Sequence, residues 1–219
     1  MQVRRMITLF FALAMLPAAL LAETGDSSLA LLQRDWATAN YQLSGDAQAA
    51  AFDALVERAD AAVADNPESA ELLIWNGIIK SSYAGTKGGL GALSLAKAAR
   101  ASLEKALEID ATALDGSAYT SLGTLYSKVP GWPVGFGSDK KAEELLEKAL
   151  EINPDGIDPN YFYADYLLQK KQFEEAEKYL LKAQSAPPRP DRPVADAGRK
   201  EEIHAALSVT RKKLQQSGS

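Results

Sequence analysis

Three groups of residues have types that could carry chemistry, and each lacks the partners that its chemistry needs. Residues 85–91 (GTKGGLG) have the glycine content of a phosphate-binding loop, but lack the Walker spacing and a preceding strand. The single histidine, His204, has no nucleophile or orienting group in its sequence neighbourhood, so we expect no general base there. Asp155, Asp158 and Asp165 do not have the spacing of a calcium loop, and turn and cap roles explain them. The sequence therefore predicts no enzyme active site, no metal site and no cofactor.

Composition further restricts the class of protein and the kinds of partner. The chain of 219 residues has 47% hydrophobic and 24% charged residues, values typical of a folded protein. It contains no cysteine, which excludes disulfides, thiolate metal sites and a cysteine-linked lipid anchor. The formal net charge is −5, without a basic cluster, and this argues against nucleic acid and anionic lipid surfaces as partners.

The N-terminal residues have the pattern of an export signal. Arg4 and Arg5 precede an apolar run over residues 6–16, and Pro17 and small residues follow up to Ala22. The run is short for a membrane-spanning helix, which needs about 20 apolar residues. We therefore predict a cleaved signal peptide at 1–22, a periplasmic or secreted mature protein and no membrane span after cleavage. The alternative is an uncleaved N-terminal anchor.

Two glycine-rich, partly apolar stretches, 81–92 and 129–138, are the best candidates for binding. The second contains Trp132 and Phe136 within a pattern of glycines and prolines that is too constrained for a flexible linker. One interpretation is a binding lip or pocket wall, in which the aromatic rings supply contact area. The other is that both rings fold back and cover the end of the hairpin core.

Internal repetition determines the expected fold. The string KALEI occurs at 105–109 and again at 148–152, and weaker relatives surround Ala62 and Ala183. The four equivalent alanines (62, 106, 149 and 183) are spaced by 44, 43 and 34 residues, and the last value is the tetratricopeptide period. The longer spacings place extra residues in the turns at 81–92 and 129–138.

Residues 157–190 resemble the tetratricopeptide repeat family in register, through Ala164, Leu167, Phe173, Ala176, Leu180, Ala183 and Pro188. The unit before it has Leu122, Gly123, Tyr126, Ala142, Leu146, Ala149 and Pro154, and the one before that has Asn76, Gly77, Ala99, Leu103 and Ala106. This resemblance implies an all-α fold, a right-handed solenoid of antiparallel helix pairs. We expect a degenerate N-terminal hairpin at 23–67, three hairpins at 68–190, and a capping helix and tail at 191–219, a cap that repeat stacks need.

Such an array presents a groove lined by the first helix of each hairpin. The resemblance implies a non-catalytic scaffold, so our first hypothesis is a periplasmic adaptor that binds a protein partner of unknown identity. The second is an accessory protein of a periplasmic transport system that binds a small apolar or lipid-like ligand. The chain is also similar to the exported repeat component that accompanies some tripartite ATP-independent periplasmic transporters. The residues predicted to contact the partner or ligand are Tyr83, Thr124, Tyr126, Trp132, Phe136, Tyr161, Asp165 and Leu168.

Overall fold

The computed structural model describes residues 19–217, with side chains for residues 28–216 other than Leu90. This part of the chain forms nine α-helices: α1 (Ala19–Tyr41), α2 (Gly45–Asp65), α3 (Ala70–Lys87), α4 (Gly89–Ile109), α5 (Ala113–Lys128), α6 (Asp139–Ile152), α7 (Ile157–Gln169), α8 (Phe173–Ser185) and α9 (Pro193–Ser217). Residues 1–18 of the predicted signal peptide lie outside the described residues, and residues 19–22 belong to α1.

Consecutive helices pack as four hairpins, α1–α2, α3–α4, α5–α6 and α7–α8, and the hairpins stack on one another. The all-helical hairpin array predicted from the sequence is confirmed. Its helix starts follow local signals, since the Oγ atoms of Ser69 and Ser138 accept hydrogen bonds from the amides of Leu72 and Lys141. The regular turns of α5 begin after Gly116, because Leu114, Asp115 and Gly116 have φ values of 49°, 55° and 74°.

Small residues set the distance between the two helices of a hairpin. A β-carbon on Gly77 of α3 would lie 2.5 Å from Cγ of Leu103 in α4. A β-carbon on Gly123 of α5 would lie 2.8 Å from Cγ of Leu146 in α6. Both leucines are fully buried, so a residue larger than glycine at either position would overlap a side chain that has no room to move. The repeat positions identified in the sequence are therefore the contact points of the hairpins.

A buried amide connects the first hairpin to the second. Asn76 of α3 donates to Asp60 Oδ1 of α2 at 2.7 Å and accepts from Ser102 Oγ of α4 at 2.7 Å. Its side chain is 1% exposed, so these two bonds replace the water that burial removes. The register between the two hairpins is fixed by this bridge as well as by apolar packing.

The first inserted stretch, 81–92, differs from the glycine-rich loop that the sequence led us to expect. It extends α3 to Lys87 and starts α4 at Gly89, so the turn is confined to Gly88 and Gly89, with φ values of 67° and 64°. Tyr83 stacks on Phe52 of α2, with ring centroids 5.6 Å apart. Burial of that ring stabilises the helix extension by more than the roughly 1 kcal/mol that a helical glycine costs.

The second inserted stretch, 129–138, is a compact loop between α5 and α6. The amide of Gly137 donates to the carbonyl of Pro130 at 3.0 Å, and that of Gly135 donates to Gly131 at 3.1 Å. A β-carbon on Gly137 would overlap the carbonyl oxygen of Val129, so the loop closes only with glycine at this position. This loop has a defined shape, as its glycine and proline pattern predicts.

The last helix does more than cap the array. It packs on α8, as a further repeat helix would, and also contacts α7 and α1. The end of the chain therefore returns to the first hairpin and encloses the concave side of the array. In the region from residue 19 to residue 217, no helix is both long and apolar enough to cross a bilayer.

Candidate functional site

The concave side of the array holds a cavity of about 1210 Å³. Its walls come from α1, α3, the start of α4, α5, α7, the loop 129–134 and the first half of α9 with the segment that precedes it. Ligand sites in proteins commonly have volumes of about 300–1,000 Å³. The cavity is therefore large enough to hold a small molecule or a short peptide segment.

Three of the eight residues predicted to bind line this cavity. Thr124 lies on α5, and Tyr161 and Asp165 lie one turn apart on α7. Asp165 forms an ion pair with Lys128 at 2.6 Å, which ties the end of α5 to α7 at the cavity wall. The first helices of the hairpins thus bring these residues together, as the repeat pattern indicates.

Four other predicted residues lie away from the cavity, and all four belong to the hydrophobic core or pack against it. Tyr83 and Tyr126 are buried, and Leu168 is partly buried against the core. Phe136 meets Tyr126 edge to face, with centroids 5.4 Å apart, and the guanidinium of Arg100 covers its other side at 4.7 Å. In this structure Phe136 covers the end of the hairpin, and the binding role of these four residues stays a prediction.

Trp132 has a different environment from Phe136, although both belong to the same loop. Its side chain is 90% exposed, and that of Val134 is 66% exposed. Val134 also lines the cavity, together with Val129 and Pro130 at the base of the loop. The loop therefore presents apolar side chains to solvent at the edge of the cavity, a feature that marks interaction surfaces. We call the exposed pair Trp132 and Val134 the lip.

Aromatic rings form one part of the cavity wall. Trp36 of α1 contacts Trp75 of α3 edge to face at 5.4 Å and Tyr41 edge to face at 5.7 Å. The indole nitrogen of Trp36 donates to Ser82 Oγ at 2.9 Å, so its polar edge is satisfied. This wall joins the first two hairpins and is largely aromatic.

A cluster of charged groups forms another part of the wall, where α7 meets the segment before α9. Asp158 of α7 accepts from Arg199 Nε at 2.9 Å and from Arg189 Nη1 at 2.6 Å. Arg189 also pairs with Asp196 at 2.7 Å, and Arg199 donates to Glu202 at 2.5 Å. These charge-assisted bonds hold α9 to α7, and each of these two guanidinium groups has two carboxylate partners.

Arg199 also lies against two rings of α7. Its guanidinium carbon is 4.3 Å from the ring centroid of Tyr161 and 4.4 Å from that of Phe162. A planar guanidinium can stack on rings and pair with carboxylates at the same time, which an ammonium cannot do. Arg199 is thus the central contact between the last helix and the repeat array.

The surroundings of the cluster shift several pKa values. Burial opposes ionisation of Asp158, but the guanidinium groups of Arg199 and Arg189 hold its pKa well below the usual range. Burial raises the pKa of Glu202, and Arg199 offsets this only in part. Burial also raises the pKa of Tyr161 to about 12. At neutral pH, Asp158 is therefore ionised and Tyr161 keeps its proton.

The closure between α9 and α1 depends on a small residue. Gly198 of α9 lies against the ring of Tyr41, and a β-carbon there would overlap that ring. The hydroxyl of Tyr41 donates to Glu202 at 3.4 Å. The two ends of the array are therefore joined by a close backbone–ring contact and a polar contact one turn further along α9.

Neither the charged cluster nor the contact between α9 and α1 was predicted from the sequence. The sequence pattern assigned Asp158 to turn and cap roles, whereas its carboxylate pairs with Arg189 and Arg199. Asp158 and Arg199 are 41 residues apart, so no local pattern connects them. The sequence does contain one signal that could have indicated the charged cluster. Three arginines, Arg189, Arg192 and Arg199, lie close together beside prolines and small residues.

The other candidates from the sequence are His204 and three aspartates, Asp155, Asp158 and Asp165. His204 is exposed on α9. Asp155, Asp158 and Asp165 do not converge on one point, and the described part of the chain contains no group of three or more acidic, histidine or cysteine side chains arranged to hold a metal. The cavity therefore offers binding surfaces, and the chemistry visible in its wall is ion pairing and aromatic packing.

Comparison with known proteins finds a repeat family over part of the chain. The tetratricopeptide repeat family matches residues 140–197, which include α6, α7 and α8. Among solved structures, a crystal structure of MamA is similar, with 18% identity and a TM-score of 0.45, over 77% of this chain and 92% of that one. No curated protein matches the chain in sequence.

Proposed function

We propose that this chain is an exported, non-catalytic adaptor that binds a protein partner at the edge of its concave cavity. The observation that carries the proposal is the lip: Trp132 is 90% exposed on a loop whose backbone is fixed by its own hydrogen bonds. A rigid, exposed tryptophan is the kind of residue that dominates the binding energy of an interface. The match of residues 140–197 to tetratricopeptide repeats, a fold of protein-binding scaffolds, supports this proposal.

Site-specific photocrosslinking tests the adaptor function. A photoreactive amino acid is placed at Trp132 and, as a matched control, at Val209, an exposed apolar position of α9 that is 57% exposed. We expect a defined partner to be crosslinked in cells from position 132 and not from position 209. Equal crosslinking from both positions would indicate adhesion without specificity, and no crosslinking from position 132 would contradict the proposal.

Export is part of the same proposal and has its own test. The predicted signal peptide, residues 1–22, is the support for a periplasmic or secreted location. Cell fractionation followed by intact mass measurement should find a processed chain that begins close to Glu23 outside the cytoplasm. A cytoplasmic, full-length chain would contradict export, but it would not affect the proposed binding surfaces, which do not depend on location.

A second function, binding of a small molecule, is favoured by a different observation. Because α9 returns to α1, the cavity of about 1210 Å³ is bounded at the end of the array as well as along its sides. Apolar side chains of α3, α4 and α5, among them Ile78, Leu93 and Leu125, form much of its wall. A cavity of this kind suits a compact amphipathic ligand, as in an accessory protein of a transport system.

Substitution inside the cavity separates the two functions. Thr124→Trp adds an indole to the cavity wall without touching the lip. If the second function operates, native mass spectrometry of the purified wild-type protein should show a bound small molecule that the Thr124→Trp protein lacks. A ligand retained in full by the variant, or none in either protein, would contradict small-molecule binding and leave the adaptor function as the proposal.

A further inference from the structure

One arginine of the charged cluster lacks the carboxylate partners that the other two have. Arg189 and Arg199 each pair with two carboxylates. For Arg192, no described residue accepts a hydrogen bond from the guanidinium or forms an ion pair with it, and its Nε is buried without a partner. The residue as a whole is partly buried, and a partly buried guanidinium without hydrogen-bonding partners would be stabilised by an anionic ligand.

The position of Arg192 directs this charge toward the cavity. The residue precedes α9 and lines the cavity wall, and its guanidinium carbon lies 4.8 Å from the ring centroid of Trp75. Trp75 belongs to the aromatic wall with Trp36 and Tyr41. The guanidinium therefore lies between this ring and the cavity that the residue lines.

The charges around Arg192 limit the kind of anion that fits. Asp158, Asp191 and Asp196 lie close enough to favour its charged form, whereas burial and Arg189 act in the opposite direction and lower its pKa overall. The cluster holds four carboxylates (Asp158, Asp191, Asp196 and Glu202) against three guanidinium groups (Arg189, Arg192 and Arg199), and this balance disfavours a second negative charge on a ligand. A monoanion therefore suits the site better than a dianion such as a phosphate monoester.

We propose that Arg192 anchors the carboxylate of a small organic monoanion whose apolar body lies along the aromatic and aliphatic wall of the cavity. This inference rests on the small-molecule function proposed above and specifies its ligand class. The planar guanidinium matches the two oxygens of a carboxylate. The apolar side chains of α3 to α5 that line the cavity provide contact area for the remainder of the ligand.

Calorimetric titration with matched probes tests the proposal. The probes are octanoate and 3-phenylpropanoate, their neutral alcohols octanol and 3-phenylpropanol, and octyl phosphate. The proteins are wild type, Arg192→Gln, Arg192→Lys and, as a matched control, Arg211→Gln, in which an exposed arginine paired with Glu177 outside the cavity is changed. Thermal unfolding is recorded for each protein to show that it is folded.

We expect at least one carboxylate probe to bind the wild type more tightly than its alcohol, with about tenfold weaker carboxylate binding to Arg192→Gln. Arg192→Lys should retain part of the affinity, and Arg211→Gln should match the wild type. Arg192→Gln should unfold at a temperature close to that of the wild type, since the substitution breaks no ion pair among the described residues. A lower unfolding temperature for Arg192→Gln without a change in carboxylate binding would overturn the proposal, because it would show a structural role.

The other outcomes separate this inference from the function on which it rests. Equal binding of carboxylates and alcohols, unaffected by Arg192→Gln, would overturn the anchor and leave a cavity that binds small molecules. Octyl phosphate bound as tightly as octanoate would overturn the assignment to a monoanionic carboxylate. If no probe binds the wild type, both the anchor and the small-molecule function are contradicted.

Discussion

The ring of Tyr41 in the first helix lies directly against the backbone of Gly198 in the last. These residues are 157 positions apart, and their contact joins the two ends of the array. In an open repeat array each repeat contacts only the adjacent repeats, so the stability is approximately the sum of the energies of the repeats and of the interfaces between neighbours. This contact adds a long-range connection that makes the cavity a bounded site.

Substitution at this contact should open the array. We expect Gly198→Ala to destabilise the protein by about 1–3 kcal/mol, because the added methyl overlaps the Tyr41 ring in a packed region. Denaturant unfolding measures the loss, and small-angle X-ray scattering should show a larger radius of gyration. Gly85→Ala is the matched control, since a β-carbon at Gly85 meets nothing within 4 Å. Similar results for the two variants would show that the closure does not depend on Gly198.

The hairpin interior gives a second prediction. Gly123→Ala places a methyl group against Leu146 and the backbone of α6, so the helices must separate. We expect a loss of about 1–3 kcal/mol in unfolding free energy. Gly85→Ala again serves as control and should be neutral or stabilising by about 0.4–1 kcal/mol, because alanine restricts the unfolded chain. A Gly123→Ala protein as stable as the wild type would mean that the hairpin contact adjusts freely.

The charged cluster predicts a dependence on pH. The pKa of Asp158 is lower in the folded than in the unfolded protein, so the unfolded chain takes up a proton first as the pH falls. The stability from this carboxylate is complete above about pH 4, near the unfolded value, and is lost as the pH falls further. The raised pKa of Glu202 acts in the opposite direction and favours the folded state as that group is protonated.

Asp158→Asn isolates this contribution. At pH 7 we expect a loss of about 3 kcal/mol, because Arg199 and Arg189 each lose a buried partner. Between pH 5 and pH 3, about the range in which the Asp158 carboxylate of the unfolded chain takes up its proton, the unfolding free energy of the variant should fall less than that of the wild type. Urea unfolding across this range measures both effects, with Asp155→Asn, an exposed acid three residues away, as control. Parallel curves for wild type and Asp158→Asn would contradict the assigned role.

The loop 129–138 predicts opposite behaviour for its two aromatic residues. Trp132→Ala should leave the unfolding free energy within about 0.5 kcal/mol of wild type, because the side chain is exposed. Phe136→Ala should cost about 2 kcal/mol, less than for a fully buried ring, because it packs on Tyr126 and Arg100. Thermal unfolding of the two single variants checks this. Comparable losses for both would mean that Trp132 also contributes to the core.

The repeat scaffold could be predicted from the sequence because its causes are local and periodic. The recurrence of KALEI, the alanines at equivalent positions, and Gly77 and Gly123 at the helix crossings specify the hairpins one unit at a time. The proline and glycine pattern around Trp132 likewise predicts a defined loop, because these residues restrict the backbone locally. The groove residues Thr124, Tyr161 and Asp165 follow from the same register.

The other features of the fold and of the candidate site depend on tertiary structure. The stretch 81–92 is helical because Tyr83 stacks on Phe52 of the preceding hairpin, and the local glycine content could not show that contact. Whether an aromatic residue of the loop is covered or exposed depends on the partners of Phe136 in α4 and α5, which Trp132 lacks. The charged cluster and the contact of Tyr41 with Gly198 join residues far apart in the chain. Sequence periodicity determines each hairpin, but only the accumulated geometry of the stack brings its ends together and creates the cavity.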